Sequence, residues 1–270
     1  MPDIVIHAIV SAIYLALAWH FWNTRWRAQT RAGLQAWERF ALLVPLAAHA
    51  WLLYDGIFSR ELRFGFAQAL SVMMFLGVAL YWVESLFYSL EGMQPLVLPL
   101  AGLAVLLPAL FPGLASRGAY AQAAEFKLHL ALAMIAYGLF VIALLHATLM
   151  AVAERQLHRK GTLAFPQLPP LLTLEALLFR MIGAAFVFLT LTLVTGIAFS
   201  ETLFGRALRF DHKTVFAVLS WLIFGLLLVG RWRYGWRGRT ALRWTLSGFV
   251  MLLLAYVGSR FVLEVLLGRA

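Results

Sequence analysis

The chain has 270 residues, of which 63% are hydrophobic and 13% charged, with a mean hydropathy of +0.85. Soluble domains lie near half apolar and a quarter charged, so this composition excludes a water-soluble globular protein and puts much of the surface in lipid. The net charge of +10 does not point to nucleic acid, because the basic residues cluster between apolar runs, and the absence of cysteine excludes disulfides and thiolate chemistry.

In chain order, eight apolar stretches qualify or nearly qualify as transmembrane helices, making the fold class all-α and polytopic, a single transmembrane domain over 1–270. The first, about 4–22, follows Met1–Asp3, which lacks a positive flank and a cleavage site, so it reads as a retained helix. It ends with His20 among Trp19, Phe21 and Trp22, an interfacial anchor, and a loop carrying Arg25, Arg27, Arg31 and Arg39 follows. The second, about 40–58, carries His49 at its middle, roughly 14 Å from either end. Asp55, six residues on, falls on another face and makes no local dyad with His49. The third, about 64–89, holds Glu84 near Tyr81 and Trp82.

The fourth stretch, about 95–111, is short and punctuated by Pro95, Pro99, Pro108 and the following Pro112, which predicts a kinked or partly re-entrant segment. The fifth, about 126–152, has His129 near its start and His146 seventeen residues on. They are separated by about 25 Å along the axis and cannot grip one metal atom. His146 reads as structural. A loop over about 153–177 carries Arg155, Arg159 and Lys160, with an extended connector at Phe165–Pro170. The sixth stretch is about 178–199. Arg206, Arg209 and Lys213 come before or at the start of the seventh, about 214–230, where His212 shares a level with His129; His7 is near that level too, or, so close to the terminus, is simply solvated. Arg231, Arg233, Arg237, Arg239 and Arg243 precede the eighth, about 241–266, in which Arg260 and Glu264 stand at ion-pair spacing.

Three strongly basic loops on one side place that side in the cytoplasm and both termini outside, in the periplasm of a bacterial inner membrane. Phosphate-binding glycine motifs, a nucleophile elbow and a His-Glu-x-x-His sequence are absent, so side-chain catalysis is not expected. Ionisable groups at membrane depth are the functional candidates. For His49 two readings stand open: a histidine hydrogen-bonded between helices, or a ligand to a buried metal or haem.

Several segments together resemble the transmembrane cytochrome c assembly proteins of the CcsA and CcmC family, and within it the small YpjD-like and HemX-like branch. They are Leu168–Glu175, Phe188–Gly196, Asp211–Thr214, Gly235–Arg239 and Leu254–Ser259, within a similarity strongest over about 126–266. The resemblance implies a haem-handling membrane protein whose cofactor is haem, held non-covalently as the b type because no cysteine is present to tether it. By position it implies that His129 and His49 are axial ligands to the haem iron; His212, which is not a family motif residue, is a further candidate for the second ligand. Partners would be the bilayer, haem, and a membrane or periplasmic client. The departures are specific: Leu203–Asp211 contains no tryptophan where larger members carry a tryptophan-rich segment, and two further family histidines fall at Val229 and Leu267. They motivate one alternative, a haem-free adaptor or regulatory subunit that retains the fold; the intramembrane acids Glu84 and Asp55 motivate another, a small-molecule or ion transporter.

Overall fold

The structure, a computed structural model, describes residues 2–27, 34–58, 62–90, 92–113, 123–160, 170–204 and 211–267, with the side chains of 2–3, 156–160 and 201–204 left aside. Most of the connector expected over 165–170, and the loop residues 114–122 and 205–210, lie outside the described residues. The described chain is helical, with no β-strand: α1 (Pro2–Phe21, continued by a π-helical turn, Trp22–Arg27), α2 (Ala36–Phe58), α3 (Phe66–Ser85), α4 (Gln94–Leu110), α5 (Ala124–Lys160), α6 (Leu171–Phe204), α7 (His212–Tyr234) and α8 (Gly238–Leu253). Beyond α8 the helix continues through two π-helical turns, Leu254–Gly258 and Val262–Leu266, on either side of Ser259–Phe261.

Seven of these helices are long and apolar enough to cross a membrane. The chain is thus polytopic, as expected. The exception is α4, with 17 residues, about 25 Å long at 1.5 Å per residue against a hydrocarbon core of about 30 Å. The sequence predicted a kinked or partly re-entrant segment there, and one helix runs through Pro99 and Pro108. Its flanks supply the reason: Val97, Leu98 and Ala101 are fully buried, and neighbouring helices tolerate prolines that lipid would not. A second difference concerns length. The connector expected from 153 is helical to Lys160, and α6 starts at Leu171, because charged side chains mark the exit from hydrocarbon without ending a helix built from good helix formers.

Packing is set by small residues, as in lipid where helices must gain contact rather than hydrophobic burial. Helix α1 packs on α4, where Ser11 Oγ donates to the Gly102 carbonyl at 2.7 Å and the Leu15 side chain lies against Gly102. Helices α3 and α5 approach at Gly77, facing Val141, and at Gly138, facing Leu76. Both α6 and α8 also pack on α5, and α7 packs on α8. Phe140 of α5 stacks on Phe224 of α7 with ring centroids 3.8 Å apart. Ser220 donates to the Gly248 carbonyl, and the buried Tyr137 hydroxyl donates to Leu252 O at 2.6 Å, beside the first π-helical turn of α8. The outward faces are apolar, as lipid requires, and Trp232 and Tyr234 stand exposed at the end of α7 beside its arginines.

Candidate functional site

The imidazoles named from the sequence occupy separate settings, and no described contact joins any two of His49, His129 and His212. His129, half-buried near the start of α5, faces α6. Its Nδ1 lies 3.0 Å from Thr195 Oγ1. The Thr195 hydroxyl also meets the Leu191 carbonyl at 2.8 Å and the Thr192 carbonyl at 3.1 Å; with its one hydrogen on a carbonyl it accepts from His129, whose Nδ1 then carries the proton. In that tautomer Nε2 keeps its lone pair, and the Thr192 carbonyl also accepts from the ring. The ring is seated by Gly196, where a Cβ would come 3.1 Å from His129 Cε1. Val194 and Ile197 beside it, and Leu128 on α5, are exposed.

His49 is enclosed on every side. It has no exposed surface, Nε2 meets Ser71 Oγ of α3 at 2.8 Å, and Nδ1 meets the Tyr14 hydroxyl of α1 at 3.4 Å. Tyr14 and Phe75 set ring edges against it at centroid distances of 5.8 and 5.6 Å. In this arrangement neither ring nitrogen is open, the first of the two readings left standing by the sequence. His212 is exposed at the first position of α7. Before it, Asp211 caps the helix, accepting from Thr214 N at 3.0 Å and from Thr214 Oγ1 at 3.1 Å. Partial burial pushes the Asp211 carboxyl up, but those two bonds and the charges of Lys213 and His212 hold it below the usual carboxylate range.

Three arrangements escaped the sequence. His7, read as level with His129 or simply solvated, is 8% exposed on the buried face of α1. His20, read as an interfacial anchor, meets Glu38 Oε1 at 2.9 Å, while Arg25 donates to Oε2 at 2.6 Å and the Gln35 N–H to the same oxygen at 2.9 Å. This buried clasp ties the π-helical end of α1 to the start of α2. Glu84 and His146 face each other from α3 and α5 at 3.4 Å. The clasp and the Glu84–His146 pair each join two different helices, so no periodicity within one helix announces them. By contrast, the Arg260–Glu264 pair expected from spacing is present, though long at 3.9 Å. At the far end of α7, Arg231 and Arg237 converge on Glu175 of α6.

The family description Cytochrome C assembly protein matches residues 36–267. The chain belongs to the cytochrome c assembly family. Its likeness to the inner membrane protein YpjD of Escherichia coli strain K12, 36% identical over 138 residues covering 51% of this chain and 52% of that one, places it in the YpjD-like branch. An uncharacterised protein of Azospirillum brasilense is 35% identical over 179 residues, 60% of this chain and 66% of that one. The cytochrome c biogenesis protein CcsA of Chlamydomonas reinhardtii is 29% identical over 145 residues, 53% of this chain and 40% of that one. The matches thus span about half the length of the curated relatives. No solved structure matches the chain. With its long apolar helices, this family member is a multi-pass inner-membrane protein.

Proposed function

We propose that this protein handles haem in cytochrome c assembly, with both termini on the periplasmic side and His129 as a ligand to a non-covalently held b-type haem. The observation that carries the reading is the state of His129: Nδ1–H is spent on Thr195, Nε2 offers its lone pair, and the ring is wedged by Gly196 among exposed apolar side chains. A second-shell hydrogen bond that fixes the tautomer is what a metal-ligating imidazole requires. The residues present therefore fit an iron porphyrin at this position. When bound, haem would supply the iron's redox chemistry, and the chain's part is ligation, an apolar cradle and orientation.

His212 is the candidate for the second ligand, being exposed and, in the proposed topology, on the same periplasmic level. His49 serves as a ligand only in a state that has given up Ser71 or Tyr14. Membership of the cytochrome c assembly family supports the biological role, and a membrane or periplasmic client would receive the cargo. The test is the absorption spectrum of protein purified from haem-replete cells into nanodiscs. A Soret band in the wild type that is lost in His129→Ala is expected, whereas a colourless wild type that takes up no added hemin overturns the reading. The occupied nitrogens of His49 favour one rival, a haem-free adaptor with the same fold. A stoichiometric partner co-purifying with colourless protein would establish that rival.

A further inference from the structure

Glu84 and His146 lie well apart from His129, on the stretch where α3 and α5 run side by side past the close approaches at Gly77 and Gly138. His146 has no exposed surface and Glu84 is 8% exposed. His146 Nδ1 stands 2.9 Å from the Ile142 carbonyl, which can only accept, so Nδ1 carries a hydrogen. In the neutral ring Nε2 is then a bare lone pair, and it points at Glu84 Oε2 from 3.4 Å. Acceptor faces acceptor. Neither Glu84 oxygen nor His146 Nε2 has a hydrogen-bond partner among the described residues.

Among the described residues no cation other than His146 is within ion-pair distance of Glu84. On α3, Tyr81 stands one turn earlier, and on α4 the buried Gln94 is neutral. Glu38 of α2 is engaged by Arg25 and His20, with Arg39 beside it in sequence. Glu175 of α6 is engaged by Arg231 and Arg237 of the α7 end, and Arg180 is exposed. Glu154 and Arg155 lie two turns further along α5, and Arg239 and Arg243 lie on α8. Among the described residues none of these pairs with Glu84 or His146. An ionised Glu84 beside a neutral imidazole would be an uncompensated charge stripped of water, an arrangement that buried groups avoid by taking up a proton.

We propose that Glu84 and His146 form an intramembrane proton-binding site, which holds one proton as a carboxylic acid on α3 directed at the imidazole lone pair on α5. The alternative distribution, carboxylate beside imidazolium, leaves two desolvated charges with one supporting hydrogen bond, from Nδ1–H to Ile142, too few to offset their desolvation. The proton balances the acceptor–acceptor clash, and the pair is electrically neutral as a unit. Glu84 lies in the last turn of α3, which ends at Ser85, so proton exchange runs from the end of the bundle where the basic loops gather.

The experiment is infrared spectroscopy of the nanodisc-embedded protein at about pH 8, where in water a free glutamate is ionised and a free imidazole neutral. A protonated-carboxyl C=O band that shifts in D2O, disappears in Glu84→Gln and moves in His146→Gln is expected. Nitrogen-15 NMR of His146 is expected to show Nδ1 protonated and Nε2 bare. If Glu84→Gln fails to insert, the His146→Gln band shift and the wild-type nitrogen spectrum still decide. No protonated-carboxyl band in the wild type, a band indifferent to His146→Gln, or an imidazolium at His146 would each overturn the site.

Discussion

His49→Ala separates a structural imidazole from an iron ligand. The substitution removes the 2.8 Å bond to Ser71 and the 3.4 Å contact to Tyr14, and opens a void between α1, α2 and α3. A buried hydroxyl stripped of its partner costs about 1–3 kcal/mol. Ser71 falls at the low end, because a helical serine can turn to its own i−4 carbonyl. The Tyr14 contact is too long to add much, and the void contributes about another 1 kcal/mol, for a total of about 2–3 kcal/mol. The pairwise part is smaller. A double-mutant cycle with Ser71→Ala is expected to give a coupling of about 0.6–1.7 kcal/mol, the range of hydrogen bonds between membrane helices.

The assay is reversible unfolding by SDS titration in mixed micelles, followed by helical circular dichroism, with the Soret absorbance per folded protein read in parallel. On this reasoning His49→Ala unfolds earlier and keeps its Soret band, whereas His129→Ala, half-buried with one ring hydrogen bonded, moves stability by under about 1 kcal/mol and loses the band. A His49→Ala protein of wild-type stability that has lost its Soret band would refute the structural account and make His49 the ligand.

Glu38→Gln weakens the clasp on Arg25 and His20. It is expected to cost about 3 kcal/mol in the same titration, the low end for breaking a buried pair because the clasp sits at helix ends. Gly138→Ala would drive its Cβ to 2.6 Å from Leu76 Cβ, whereas Gly183 has nothing within 4 Å. Gly138→Ala is therefore expected to lose about 1–3 kcal/mol and Gly183→Ala to gain up to about 1 kcal/mol. Asp211→Ala removes the α7 cap, at about 1 kcal/mol. Because the folded Asp211 carboxyl titrates below its unfolded counterpart, its contribution is complete above about pH 3.9 and is lost as pH falls through the folded value. Asp211→Asn should flatten that acid limb in unfolding curves measured from about pH 6 to pH 2.

The helices were legible because continuous apolar runs obey one rule, the thickness of hydrocarbon. Family membership was legible because segments such as Phe188–Gly196 and Gly235–Arg239 keep their order and spacing. Helix ends were not, as Lys160 shows: hydropathy reports where lipid stops, while the backbone ladder continues into water. Nor was the inside of the bundle. At His49 the position was right and the environment unreadable, because Ser71 and Tyr14 lie 22 and 35 residues away. Glu38 carries no local signal of its partners, and only the fold turns it inward.

What distinguishes the imidazoles of α5 is what each ring faces. His129 and His146 both commit Nδ1–H to a neighbour, a hydroxyl in one case and a carbonyl in the other, and both thereby expose an Nε2 lone pair. At His129 that lone pair opens towards exposed apolar side chains, where a flat apolar ligand with a metal centre can approach without displacing a protein hydrogen bond. At His146 it is sealed against the Glu84 carboxyl group, and the ring has no exposed surface. On the two proposals, the same preparation of the ring would serve an iron at one level of the helix and accept from a carboxylic acid at the other. His49, with both nitrogens spent on hydroxyls, suits neither without rearrangement. Burial alone is therefore a poor guide to ligation in a membrane bundle. The state of the second nitrogen is the better one, and here it ranks the half-buried His129 above the fully buried His49.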